Sequence, residues 1–193
     1  MFSFPTSSVK RFFSTAAIAA SLGIFGIYPA ITWAQNNSGL TIFSGVDRKD
    51  QLSYYLDFGG ESGNVDRYRL KIPAKKLKVA VNRFAISYPN YYKGKFDPSQ
   101  VEILVGKEPG FSFFSTDTRQ SIKVSQVEWD QQDFNLQIFL EQRLPAGQDV
   151  EIVLSNVQNP SMGGTFYFNC NIEAPGDVGG LVRYVGTWII SIS

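Results

Sequence analysis

No histidine occurs anywhere in the 193 residues of this chain, and cysteine occurs once, at Cys170. Without imidazole there is no Ser-His-Asp or Cys-His nucleophilic pair, no His-ligated zinc, no haem on a proximal His and no imidazole pH switch. A lone thiol excludes an internal disulfide, CxxC redox chemistry and thiolate metal clusters. Charge is sparse and balanced, with 18 Lys+Arg against 17 Asp+Glu, and only 18% of residues are charged. Aromatics are plentiful at 15%, 16 Phe and 9 Tyr among them, which favours strands over helices. A 44% hydrophobic content at this length is that of one ordinary globular domain.

Residues 1–34 read as a cleaved signal peptide. Lys10 and Arg11 form a basic start, Thr15–Ile27 an apolar core, Pro29 a helix breaker, and Thr32-Trp33-Ala34 a small-residue cleavage site before Gln35. The uninterrupted apolar run is short of the roughly 20 residues that cross a bilayer, so a membrane-spanning anchor is not expected after cleavage. No Cys stands at the cleavage site, which excludes a lipoprotein, and the lack of Arg-Arg favours the general secretory route. The expected mature chain, 35–193, is a single exported domain of the periplasm, the extracellular space or a thylakoid lumen. In such an oxidising place Cys170 reads as a small buried hydrophobe, and stability must come from packing.

Period-two alternation recurs along the mature chain and helical periodicity is nowhere sustained. Strands are expected near 40–46, 51–58, 66–72, 77–88, 101–105, 121–129, 134–141, 150–155, 165–172 and 182–192. Within 77–88 the apolar phase slips at Asn82-Arg83, the mark of a β-bulge. Gly59-Gly60 to Gly63-Asn64 and Asp130–Asp133 read as hairpin turns, and Asp97–Gln100 as one helical turn. Short strands at this spacing predict an all-β fold, a single immunoglobulin-like antiparallel β-sandwich of about eight to nine strands. Phe134, Leu136, Ile138, Phe166, Phe168 and Cys170 are its expected core, with Asn135, Gln137, Tyr167 and Asn169 on the opposite faces. Trp129 and Trp188 continue apolar faces and are expected inside. In 182–192 the face is Val182, Tyr184, Gly186, Trp188, Ile190 and Ile192.

The C-terminal third carries a resemblance. Leu144-Pro-Ala-Gly147 precedes the run Gln148–Asn159; Asn159-Pro160 leads to Gly163-Gly-Thr-Phe-Tyr-Phe168; then come Ala174-Pro-Gly-Asp177 and Arg183-Tyr-Val-Gly-Thr-Trp188. With Arg67–Lys78, Tyr88-Pro-Asn-Tyr-Tyr92 and Phe96-Asp-Pro98 upstream, this resembles the exported cyanobacterial family called domain of unknown function 2808. The resemblance implies a secreted or periplasmic envelope protein, and it carries over no catalytic or ligand residue.

Charge is segregated. From Arg67 to Lys95 lie Arg67, Arg69, Lys71, Lys75, Lys76, Lys78, Arg83, Lys93 and Lys95, with no acid among them. If the strands at 66–72 and 75–83 are neighbours, Arg67, Arg69, Lys71, Lys76, Lys78 and Arg83 share a side, rimmed by Lys93, Lys95, Tyr91 and Tyr92. These ten residues are the candidate surface for an anionic polysaccharide, lipid headgroups or an acidic envelope protein. The plain alternative is lysines that guard exposed strand edges. No nucleic-acid motif accompanies the charge. Catalytic, cofactor and metal residues are expected to be none. Gly106–Gly110 lacks phosphate-loop spacing, and Asp47–Asp50 and Asp130–Asp133 lack the acidic ladder of a calcium loop. The leading expectation is therefore a non-enzymatic envelope module. Its rivals are a glycan-binding module and, less favoured, a two-carboxylate glycoside hydrolase.

Overall fold

Alternation in the stretch Val65–Ile72 becomes two faces of a strand: Asp66, Tyr68, Leu70 and Ile72 are buried, while Val65, Arg67, Arg69 and Lys71 point outward. The computed structural model describes residues 45–107, 119–177 and 181–193. Eleven strands lie among them: β1 (Gln51–Leu52), β2 (Tyr54–Leu56), β3 (Val65–Ile72), β4 (Val81–Ser87), β5 (Val101–Val105), β6 (Gln120–Ile122), β7 (Val124–Asp130), β8 (Asn135–Leu144), β9 (Val150–Gln158), β10 (Gly164–Glu173) and β11 (Arg183–Ile192). One sheet has the order β1-β11-β10-β4-β8-β7 and the other β2-β3-β9-β5-β6. Every pairing is antiparallel except β1 with β11. Strands β2, β3, β9 and β5 stand in the A-B-E-D order of an immunoglobulin sandwich, and β4, β10 and β11 in its C-F-G order. The expected fold class is the observed one. Strands β6, β7 and β8 are inserted between D and E; β6 widens the five-stranded sheet and β7 and β8 the six-stranded one.

The strand count exceeds the expected eight to nine because two expected strands are each cut in half. Segment 51–58 yields β1 in one sheet and β2 in the other, with Ser53 at the crossing. Segment 121–129 behaves alike, β6 and β7 parting at Lys123. A chain that changes sheets keeps its alternation, so the pattern alone hides the corner. Residues 40–44 of the first expected strand and the signal segment 1–34 lie outside the described residues; Gly45 and Val46 form a bend.

Other departures are changes of phase. In 77–88 only Val81–Ser87 is strand, and Ala74–Lys76 is a short 3-10 turn. The irregularity expected at Asn82-Arg83 is there, but the surplus residues belong to β8: two steps of β4 (Val81 to Arg83, 83 − 81 = 2) face five of β8 (Leu144 to Phe139, 144 − 139 = 5). In β11 an extra residue opposite Cys170/Asn171 resets the face, so Val185 is buried while Val182 and Tyr184 are exposed. In β9 the extra residue falls at Asn156, which takes φ 57°.

Between the sheets lie Tyr68, Leu70, Ile103, Ile152, Leu154, Phe84, Ile86, Leu136, Ile138, Phe168, Cys170 and Trp188. Of the expected core, Phe134 is only half-buried, because it stands in the left-handed turn (φ 51°) before β8. Trp188 is fully buried and its Nε1 donates to Lys71 O at 3.1 Å. Trp129 is half-buried, with Nε1 donating to Tyr88 Oη at 2.7 Å. Burial pushes the Cys170 thiol far above its ordinary range, so it stays protonated. Asp97 caps the expected helical turn by accepting from Ser99 N. Among the described residues no helix is long and apolar enough to cross a membrane.

Candidate functional site

The cations expected to share one side are dispersed over both sheets. Strand β3 belongs to the five-stranded sheet and β4 to the six-stranded one, so Arg67, Arg69 and Lys71 face away from Arg83. Lys76 sits on the 3-10 turn with Nζ 3.1 Å from Asp50 Oδ1, and Lys78 is exposed on the following loop. Lys93 lies over the Phe134 ring at 5.9 Å, and Lys95 forms an isolated bridge with Gln158. The separation follows from the turn at 73–80, which carries the chain from one layer to the other.

Among the described residues, four of the nine cations from Arg67 to Lys95 pair with acids that lie outside that block. Arg69 Nε donates to Asp57 Oδ1 at 2.7 Å and its Nη1 to Glu151 Oε1 at 3.2 Å. The Asp57 hydrogen bond raises the guanidinium further above its ordinary range. Arg67 Nη1 stands 3.7 Å from Asp57 Oδ2, and its Nε donates to Ser155 Oγ. Arg119 Nη1 pairs with Glu151 Oε2 at 3.0 Å. On the other sheet Arg83 pairs with Glu173 at 2.5 Å, donates to Gln137 Oε1 and covers the Phe139 ring.

Glu151 is the residue that sequence reasoning missed. It occupies an outward position of β9, yet it is 4% exposed. Strand β9 is central in its sheet, and Val153 on the same face is also buried. Apolar residues on both faces of Val150–Leu154 are the signal of a strand covered on both sides. Beside this lattice opens a pocket of about 290 Å³ lined by Ser53, Lys71, Lys107, Arg119, Asp149 and Glu151, among others. Among the described residues, its carboxylates are Glu151 and Asp149, and both are engaged within the protein: Glu151 by Arg69 and Arg119, and Asp149 Oδ1 by Ala74 N at 2.7 Å. Among the described residues no group of three or more acidic or thiol side chains could hold a metal ion.

The tyrosine pair divides. Tyr91 is 54% exposed and leans on Phe166, ring centroids 5.7 Å apart. Tyr92, a candidate for that surface with folding back onto the sandwich as the alternative, takes the alternative and is buried among Tyr88, Phe96, Phe166 and Phe168. Its hydroxyl lies 3.2 Å from Tyr68 Oη, which donates to Asn159 Oδ1 at 2.6 Å. Asn159 Nδ2 in turn donates to Glu61 O. Desolvation raises both phenols well above the ordinary tyrosine range. A larger residue than glycine at 94 would strike this hydroxyl and Gln158 O.

Strand order and these ion-paired faces define an enlarged immunoglobulin-type sandwich with charge held in internal pairs. The chain belongs to the family described as protein of unknown function (DUF2808), whose model matches residues 40–192. No curated protein matches the sequence. Among solved structures, the chain is similar to the collagen-binding domain of a Staphylococcus aureus adhesin, at 10% identity and TM-score 0.40 over 73% of this chain and 95% of that one. It is similar to an uncharacterised Nocardia farcinica protein with an immunoglobulin-like fold, at 11% identity and TM-score 0.36 over 74% and 98%. A structure of Gaeumannomyces graminis manganese lipoxygenase with part of Komagataella pastoris zonadhesin matches at 13% and 0.41, over 76% of this chain and 48% of that one. The chain thus spans about half the length of that last match. Likenesses at this level say nothing of activity.

Proposed function

We propose that the chain is exported by its N-terminal segment and acts in the cell envelope as a binding or structural module without catalysis. The observation that carries the reading is the engagement of the functional groups themselves. The pocket's two carboxylates are held by guanidiniums and a backbone amide. A two-carboxylate hydrolase needs one carboxyl to give a proton and a second to attack or to activate water. Rigid, self-paired side chains are suited to presenting a surface. The basic start, apolar run and Thr32-Trp33-Ala34 step support export, as does a thiol shielded from oxidation in the core.

Fractionation of source cells with N-terminal sequencing tests export: the envelope or secreted fraction yields a chain beginning at Gln35. A full-length chain starting at Met1 in the cytosol or embedded in membrane overturns it. Catalysis is tested separately on glycoside substrates. Turnover by the parent that is abolished in Glu151→Gln or Asp149→Asn, both still folded, overturns the non-catalytic reading.

A further inference from the structure

The outer face of the six-stranded sheet carries an unusual inventory. Ladder register aligns one row across all six strands: Gln51, Thr187, Asn169, Ser87, Asn135 and Asp130. The next row holds Tyr184, Asn171, Ala85, Gln137 and Glu128. Where β10, β4 and β8 run together, the two rows form a block of six residues: Asn169 and Asn171, Ser87 and Ala85, Asn135 and Gln137. Four of the six are amides, none is charged, and the small Ala85 is buried among them.

Several of these groups have hydrogen-bonding capacity that the protein does not use. Asn135 Oδ1 is buried without a partner and out of reach of a surface ligand, so the part of Asn135 in the block is its amide nitrogen. Among the described residues, Ser87 and Asn171 make no side-chain hydrogen bond. Asn169 and Gln137 are fixed by contrast: Tyr184 Oη lies 2.6 Å from Thr187 Oγ1, which donates to Asn169 Oδ1 at 2.7 Å, and Arg83 Nη1 donates to Gln137 Oε1. Half-buried amides with unused donors and acceptors are costly against a dry partner and rewarding against one rich in hydroxyls. An ordinary solvated sheet face would carry charge instead. With strands about 4.8 Å apart and alternate residues about 6.8 Å apart, the block measures roughly 10 by 7 Å. That is the footprint of a disaccharide.

We infer that this amide block is a binding face for a neutral polysaccharide, with Tyr184 and Tyr167 at its margin offering rings to sugar C–H faces. Electrostatics selects the neutral class. Among the described residues, the rim holds the acids Glu128 and Asp130 beside an Arg83 and a Glu173 that are paired with each other, which opposes a polyanion. A second protein copy is a poorer fit, because interface centres are apolar and aromatic while this centre is amide. The inference rests on the non-catalytic binding reading and names its partner.

Affinity electrophoresis of residues 35–193 tests it, in native gels containing hydroxyethylcellulose, galactomannan or dextran, with alginate as the anionic probe. At least one neutral polymer is expected to retard the protein, and alginate is not. The double variant Ser87→Ala/Asn171→Ala weakens that retardation at least tenfold while its melting temperature stays near the parent's; Lys78→Gln leaves it unchanged. No retardation by any neutral polymer overturns the inference. So does equal retardation of the folded double variant, retardation by alginate alone, or self-association that the double variant abolishes. Any of these leaves the N-terminal sequencing result, and hence the export reading, untouched.

Discussion

Removing one oxygen from Tyr68 should cost more than removing its twin from Tyr92, although the two hydroxyls touch. Tyr68 Oη donates to Asn159 Oδ1 at 2.6 Å, so the proton in the 3.2 Å contact comes from Tyr92. Tyr68→Phe therefore strands two buried groups, the Asn159 oxygen, which loses its donor, and the Tyr92 hydroxyl, which loses its acceptor. At about 1–3 kcal/mol for each of the two unsatisfied groups, the expected loss is ~2–6 kcal/mol. Tyr92→Phe removes a donor from an oxygen that still donates to Asn159, a loss of about 0.5–1 kcal/mol. The double variant strands only the Asn159 oxygen, so it should be more stable than Tyr68→Phe alone. Urea unfolding of residues 35–193, with m-values compared across the set, measures all three. A Tyr92→Phe loss equal to that of Tyr68→Phe, or a double variant at the sum of the singles, refutes the assigned proton direction.

Three further outcomes follow from the same geometry. Asn156→Gly should be nearly neutral by urea unfolding and Asn156→Ala should cost about 1–2 kcal/mol, since residue 156 sits at positive φ and its Nδ2 donates to Asp97 Oδ2 at 2.9 Å. Gly186→Ala should cost roughly 1–3 kcal/mol and loosen β1, because the new Cβ would lie 2.6 Å from Asp50 O and 2.8 Å from Leu52 Cγ; rapid amide exchange at Leu52 reports it. The phenols of Tyr68 and Tyr92 have folded pKa values above the unfolded 10, so their contribution is complete below pH ~10 and is lost as pH rises further. A pH series of melting temperatures should fall above about pH 10, and should fall less in the double Tyr→Phe variant.

Strand content, the two hairpin turns, the capped turn at Asp97 and most of the core were legible because each depends on local alternation or on turn chemistry. Leu136, Ile138, Phe166, Phe168 and Cys170 are all buried as their spacing requires. What stayed hidden depends on partners distant in sequence. Ser53 and Lys123 keep the alternation while sending the chain to the other sheet. The face of β11 shifts because of an extra residue whose mark is visible only against β10. The basic block failed as one surface for the same reason. Nine cations close in sequence are divided between two layers, and acids from 50, 57, 151 and 173 meet four of them. Tyr92 had the composition of a surface loop, Pro-Asn before and Lys-Gly after, yet Phe96, Phe166 and Phe168 draw its ring inside.

The parallel pairing of β1 with β11 has a mechanical consequence. A pull at the N-terminal end of β1 against the C-terminal end of β11 drives the two strands along their own axes in opposite directions. Their hydrogen bonds, perpendicular to the force, must then give way together instead of one at a time. The join is short, Gln51 and Leu52 against Thr187 and Trp188, but Leu52 is buried and Gly186 lets it lie close. Tension across the domain thus meets a small clamp in shear before it reaches the rest of either sheet.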